Sequence, residues 1–127
     1  MRYLGFLLHA YQPPTQPQWM IDKIFRESYE PVIRMLEKHP SWGISLDLAK
    51  SLGERLPKEF LERIRALYLN QQIEMVNTAA YHYLLPLVPD DVIRRQLKLN
   101  ADFYREHITG TDPVPGLFPP ELAFNHR

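Results

Sequence analysis

The order of apolar runs and helical stripes constrains this chain more than any other feature. Four runs of strand length stand at Tyr3 to Leu8, Trp42 to Leu46, Gln71 to Thr78 and from Gly116 onward, separated by segments of helical period. Strand and helix alternating through short connections require parallel strands joined by right-handed crossovers. The expected fold class is therefore α/β with a parallel sheet. Tyr3 to Leu8 is continuously apolar, the pattern of a strand covered on both faces. Glu74 lies inside the third run, where it needs a polar face or a partner.

The helical segments are legible from their stripes. Ile24, Phe25, Ser28, Tyr29, Val32, Ile33 and Leu36 share a face, and Pro31 places the helix start near Ser28 or Tyr29. A short helix from Asp47 to Arg55 follows the second run. Pro57 opens a clearer one with Phe60, Leu61, Ile64, Leu67 and Tyr68 inside. Asp90 or Asp91 caps the last, with Ile93, Leu97, Ala101 and Tyr104 inward and a basic, solvated outer side. Thr109 to Pro113 breaks it.

Composition narrows the function classes. The chain has 127 residues, enough for one domain with a core, and its 12 prolines punctuate elements rather than form a tract. Lys+Arg and Asp+Glu are equal at 15 each, so no bulk charge draws it to nucleic acid or an anionic membrane. The absence of cysteine removes disulfides, zinc-thiolate sites and thiol nucleophiles together. No run reaches membrane length, and the first is too short for a signal peptide. A cytoplasmic soluble protein is expected, with no nucleic-acid or membrane partner.

Polar and aromatic groups gather after three of the four strand runs. His9, Tyr11 and Gln12 follow the first, Asn77 to His82 follow the third, and Glu121 follows the fourth. In a parallel sheet those ends share one rim, the place where α/β proteins build sites. For His9 the plainer alternative is a core histidine satisfied by a backbone carbonyl. Glu121 sits in a proline-stiffened apolar stretch, Gly116-Leu117-Phe118-Pro119-Pro120-Glu121-Leu122-Ala123-Phe124. There it either starts a helix, with its charge on the helix dipole, or serves a site. The residues alone leave both readings open.

Three ordered segments resemble glycoside hydrolase family 57. Leu7-Leu8-His9-Ala10-Tyr11-Gln12-Pro13-Pro14 is similar to the family's opening His-X-His-Gln-Pro motif, with Tyr11 in place of the second histidine. Gln72-Ile73-Glu74-Met75-Val76, continued by Tyr81-His82-Tyr83-Leu84-Leu85-Pro86, is similar to its Gly-Gln-(Ile/Leu/Val)-Glu-(Ile/Leu) segment, with Gln71 where the family usually has glycine. Gly116-Leu117-Phe118-Pro119-Pro120-Glu121 is similar to its Trp-(Leu/Pro)-Pro-Glu segment, with Phe118 for tryptophan.

The resemblance implies the N-terminal portion, about four βα units, of an incomplete (β/α)7 barrel with a parallel sheet. It implies action on an α-glucan or oligosaccharide, with retention of stereochemistry and Glu121 as the nucleophile. The same matching places His9 and Glu74 in the substrate site, and the rim groups Tyr11, Gln12, Asn77 and His82 are expected to bind substrate beside them. Retention needs a second acid about 5–5.5 Å from the nucleophile. The family's is an aspartate in a later motif, so residues 1–127 read as a single truncated fragment of the catalytic domain. By itself such a chain is expected to be inactive.

The leading expectation is thus the nucleophile half of a retaining α-glucan hydrolase or glucanotransferase. The alternative is a non-catalytic α-glucan-binding or self-associating module derived from such an enzyme, with Tyr11, Trp19, Tyr81 and Tyr83 as stacking groups. Its partner is then a homo-oligomeric copy or a missing C-terminal segment. A third reading, a zinc-dependent deacetylase or mannosidase, has little support, because no two histidines stand at ligand spacing. No cofactor or metal is expected. A fourth is a purely structural domain using an exposed sheet edge.

Overall fold

A computed structural model describes residues 4–111 and 113–125. Four parallel strands, β1 (Leu7–Ala10), β2 (Ile44–Leu48), β3 (Ile73–Asn77) and β4 (Gly116–Leu117), lie side by side in chain order. Between them run α1 (Gln18–Ile24), α2 (Glu30–Lys38), α3 (Lys50–Gly53), α4 (Lys58–Leu69) and α5 (Asp90–Tyr104). The fold class is the α/β parallel arrangement that the alternation requires. No helix among the described residues is long and apolar enough to cross a membrane.

Two strands sit further along the chain than their apolar runs suggest. The first was expected at Tyr3 to Leu8, but β1 is Leu7–Ala10, so His9 lies within the strand and not past its end; Tyr3 lies outside the described residues. The second was expected at Trp42 to Leu46, but β2 is Ile44–Leu48. Pairing decides the matter: Leu7 is opposite Ser45, Leu8 opposite Leu46, His9 opposite Asp47 and Ala10 opposite Leu48. Asp47 is therefore a strand residue, not the start of a helix. Cover on both faces of the first run also fails, since Leu4, Phe6 and Leu7 are exposed.

Alternation divides the sheet into two faces. Leu8, Ala10, Leu46, Leu48, Ile73 and Met75 turn toward the helices, and most are buried with Ile21, Ile33, Leu36, Phe60, Ile64 and Tyr104 in one core. The opposite face carries His9, Ser45, Asp47, Glu74 and Val76. Polar groups thus occupy the face that no helix covers.

α2 begins at Glu30 with Tyr29 at its cap position and Pro31 in its first turn, close to the expected start, but no break in the helical path precedes it. α1 runs through a wide π-turn at Phe25–Tyr29 into α2, and the Glu30 N–H donates to the Phe25 carbonyl five residues back. That wider turn absorbs the donor that proline lacks, so the helical path from Gln18 to Lys38 survives. At the other end, α5 passes through a second π-turn, Arg105–Thr109, and stops at Gly110, whose φ of 69° suits glycine. The break expected at Thr109 to Pro113 begins there; Asp112 lies outside the described residues.

α5 departs from its expected stripe. Asp90 and Asp91 fall in its first turn, with Pro89 at the cap position. Its buried residues are Gln96, Asn100, Phe103 and Tyr104, whereas Ile93, Leu97 and Ala101 are only partly covered. The polar pair is buried because loop backbones need partners there. Gln96 Oε1 accepts from the Tyr81 N–H at 3.0 Å, and Asn100 Oδ1 from the Lys50 N–H at 2.7 Å. Tyr104 Oη accepts from the Leu48 N–H at 2.8 Å and donates to the Val76 carbonyl at 3.0 Å. One helix therefore clamps β2, β3 and the loops that follow them.

Candidate active site

The C-terminal ends of β1, β2, β3 and β4 share one rim. His9 and Asp47 are register partners on the helix-free face, and His9 Nδ1 lies 2.7 Å from Asp47 Oδ1. Asp47 is fully buried, and its second oxygen, Oδ2, is buried without a protein partner. The hydrogen bond to Asp47 raises the His9 imidazole above its ordinary value, against the opposing effect of burial. Burial pushes the Asp47 carboxyl upward, and the His9 ring pulls it part of the way back. Both directions describe one pair that keeps a proton between imidazole and carboxyl.

The loop after β3 brings in His82. Its side chain is 7% exposed, and its ring lies 3.9 Å from that of Tyr11, nearly parallel, and 4.9 Å from that of His9. Phe118, just past β4, adds a fourth ring 5.0 Å from His9. The Phe118 N–H donates to the Asn77 carbonyl at 2.8 Å, which extends the β3–β4 pairing and brings the following turn to the rim.

That turn, Pro120–Leu122, carries Glu121. Its Oε1 lies 3.0 Å from His82 Nε2, while the side chain stays 71% exposed. The bond to His82 holds the Glu121 carboxyl below its ordinary value. Glu121 is thus an ionised acid anchored at one oxygen and open to solvent. The helix-start alternative does not describe it, since its φ is 56° and the segment is a single tight turn. His82, with φ 57°, is in the same left-handed region. Two side-chain-bearing residues in that costly region, joined by one hydrogen bond, mark where the fold spends stability on geometry.

Of the residues expected to form the site, His9, Tyr11, His82 and Glu121 converge. The others lie apart. Glu74 shares the helix-free face but sits further back on β3, where it accepts from Ser45 Oγ at 2.8 Å. Gln12 donates to Tyr29 Oη at 3.2 Å. Asn77 faces α5: its amide donates to the Leu97 carbonyl at 3.2 Å, and its Oδ1 accepts from Asn100 at 3.1 Å. Sequence reasoning missed Asp47. The signal was present in Ile44-Ser45-Leu46-Asp47-Leu48, a period-two alternation that puts Ser45 and Asp47 on one face.

Among the described residues no cluster of three or more His, Cys, Asp or Glu side chains is arranged to hold a metal ion. The rim groups are instead matched in pairs, imidazole to carboxylate, with aromatic rings packed against them. Such a set can orient a carboxylate and offer imidazole nitrogens and a phenol to hydroxyls.

The Glycosyl hydrolase family 57 model matches residues 7–127. Alpha-amylase 1 of Dictyoglomus thermophilum is 30% identical over 106 residues, which cover 80% of this chain and 16% of that protein. The 4-alpha-glucanotransferase of Thermococcus litoralis is 24% identical over 104 residues, with the same coverage of each chain. The crystal structure of that glucanotransferase superposes with a TM-score of 0.85 at 22% identity, over 92% of this chain and 18% of that one. A GH57-type branching enzyme from Pyrococcus horikoshii gives a TM-score of 0.76 at 20% identity, over 94% and 34%. The present chain spans about a sixth of the length of the curated relatives. Its four parallel strands and the helices between them are a portion of the (β/α)7 barrel of those enzymes. The chain belongs to glycosyl hydrolase family 57.

Proposed function

We propose that this chain carries the nucleophile half of a retaining α-glucan hydrolase or glucanotransferase, with Glu121 as the nucleophile. The observation that carries the reading is the exposed, ionised Glu121 carboxylate, tethered through one oxygen to the buried His82 at the strand-end rim. A nucleophile must be charged, reachable and aimed. The hydrogen bond to His82 supplies the charge and the aim while leaving Oε2 for the anomeric carbon. Attack forms a glycosyl ester and expels the aglycone oxygen, which must take a proton as it leaves.

The described residues hold no second acid suited to give that proton. Asp47 is fully buried against His9, and Glu74 is further down the sheet on Ser45. The acid/base is therefore assigned to a further segment, and the chain by itself to a half-site. His9, Tyr11 and His82 line the sugar side of that half-site.

The test is α-glucan hydrolysis and transfer by this chain alone and after addition of a barrel segment bearing the acid. Turnover is expected only with the segment, and Glu121→Gln should abolish it. Turnover by the chain alone that survives Glu121→Gln overturns the reading.

A second reading has its own observation. Tyr81 and Tyr83 beside the rim are 41% and 46% exposed, and Trp19 is 63% exposed. Exposed aromatic faces suit sugar rings without any chemistry, so a non-catalytic glucan-binding module is the alternative. It predicts maltooligosaccharide binding that is indifferent to Glu121→Gln, and it fails if no binding appears up to millimolar concentration.

A further inference from the structure

We propose that Asp47 is a positioning residue of the glucan site: it holds His9 with a proton on Nδ1, so that Nε2 is the ring atom offered to a sugar hydroxyl. The inference rests on the proposed glucan site, and it concerns a residue that no motif of the chain singled out.

Three observations carry it. First, Asp47 is completely buried on the helix-free face of β2, a costly place for a carboxyl unless it serves a partner. Among the described residues its side-chain hydrogen-bond partner is His9, at 2.7 Å, across the β1–β2 register. Second, the register fixes the pair. The two residues stand directly opposite on neighbouring strands, so the contact is set by two rigid elements and not by a loop. Third, the His9 ring is enclosed by His82 at 4.9 Å and Phe118 at 5.0 Å, which limits its rotation.

An ionised carboxylate oxygen can only accept, so with Asp47 ionised the 2.7 Å bond puts a proton on Nδ1. Nε2 is then a lone-pair acceptor in the neutral ring and a donor in the charged one. The His9 side chain is 31% exposed, so the ring is partly open to solvent. Glu121 lies within electrostatic reach and adds to the pull of Asp47 on the His9 proton. The groups that face His9 are Asp47 on β2, Tyr11 after β1, His82 after β3 and Glu121 after β4. The carboxylates favour the charged ring, whereas a charged His82 opposes it. Histidine ligands whose far nitrogen is fixed by a carboxylate show the same division of labour in metal sites; here the near nitrogen would meet a hydroxyl.

The test reads His9 directly, by nitrogen-detected NMR titration of the full chain with maltotriose as the ligand probe. In the unsubstituted chain the neutral ring should carry its proton on Nδ1, with a titration midpoint above the ordinary histidine value. Asp47→Asn, close to isosteric, should lower that midpoint and weaken maltotriose binding roughly tenfold, the scale of one lost charge-assisted hydrogen bond. Neutral His9 with its proton on Nε2 in the unsubstituted chain overturns the proposal. So does a midpoint and an affinity unchanged by Asp47→Asn in a folded variant. The tautomer is read without any substitution, so a variant that fails to fold leaves a decisive measurement. Failure of the Glu121 assignment reads differently: Glu121→Gln would leave supplemented turnover intact while the His9 tautomer stayed as predicted.

Discussion

The residues that define this rim are those whose backbone or burial is expensive. His82 and Glu121 both lie in the left-handed region, and so does Gln71, with φ 60°, in the turn before β3. Gln71 occupies the place where the family motif usually has glycine, and its backbone gives the reason: glycine takes that conformation without a Cβ penalty. No pattern of apolar residues announces a positive φ on His82 or Glu121, so the strain at the site was not legible in advance. The motif residues were.

At this scale the His82–Glu121 bond has a direct consequence for pH dependence. The bond lowers the carboxyl's folded-state value below its ordinary 4.5, so the proposed nucleophile stays ionised to lower pH and is lost only as pH falls through that depressed value. His82→Phe keeps a ring against Tyr11 but removes the acceptor's partner. The acid limb of kcat/KM for the segment-supplemented enzyme should then move upward, toward the ordinary carboxylate range. An unmoved limb would show that His82 does not set the charge of Glu121.

Among the elements, α5 links the fold to the site. The alternation of strands and helices was readable because parallel sheets need it, and α4 matched its stripe closely. The inward face of α5 was misread for a physical reason. Gln96 and Asn100 are buried not for hydrophobicity but because strand-end loops leave backbone groups that only a side chain can reach. Apolar periodicity cannot see that demand. The strand limits slipped for a related reason: β1 and β2 are set by mutual pairing, which draws the polar His9 and Asp47 into the sheet.

Tyr104 gives this scale its measurement. Its hydroxyl is fully buried and serves both the Leu48 N–H and the Val76 carbonyl, at the ends of β2 and β3. Desolvation drives its own ionisation far upward, so the hydroxyl keeps its proton throughout the working range. Tyr104→Phe leaves two buried backbone groups unmatched and should cost about 1–3 kcal/mol in urea unfolding. A loss under about 0.5 kcal/mol, the scale of an exposed substitution, would show that the clamp contributes little.

For the whole molecule, the central feature of the proposed function is a site present in part. Among the described residues β1 and β4 are each paired on one side, and Leu4, Phe6 and Trp42 lie exposed beside β1. Among the described residues the rim likewise brings together Glu121 and His82, and His9 and Asp47, with no second exposed acid among these groups. The sequence led to the proposed division because the three motifs come in order, and because a retaining mechanism needs two carboxyls. How the half-site is built was not visible, since the Asp47–His9 and His82–Glu121 pairs depend on strand register and on turns of positive φ.

A half-site has a chemical signature that a complete site and an empty scaffold both lack. The missing acid protonates the leaving oxygen, so a donor whose leaving group needs no proton should still glycosylate the nucleophile. An α-glucosyl fluoride releases fluoride without that help, and with no base to activate water the glycosyl ester should persist. The decisive measurement is intact-mass and peptide-level mass spectrometry of the chain after exposure to such a fluoride. The account predicts one hexosyl unit per chain, on Glu121, and none in Glu121→Gln. A chain that stays unlabelled, or that is labelled equally after Glu121→Gln, contradicts it.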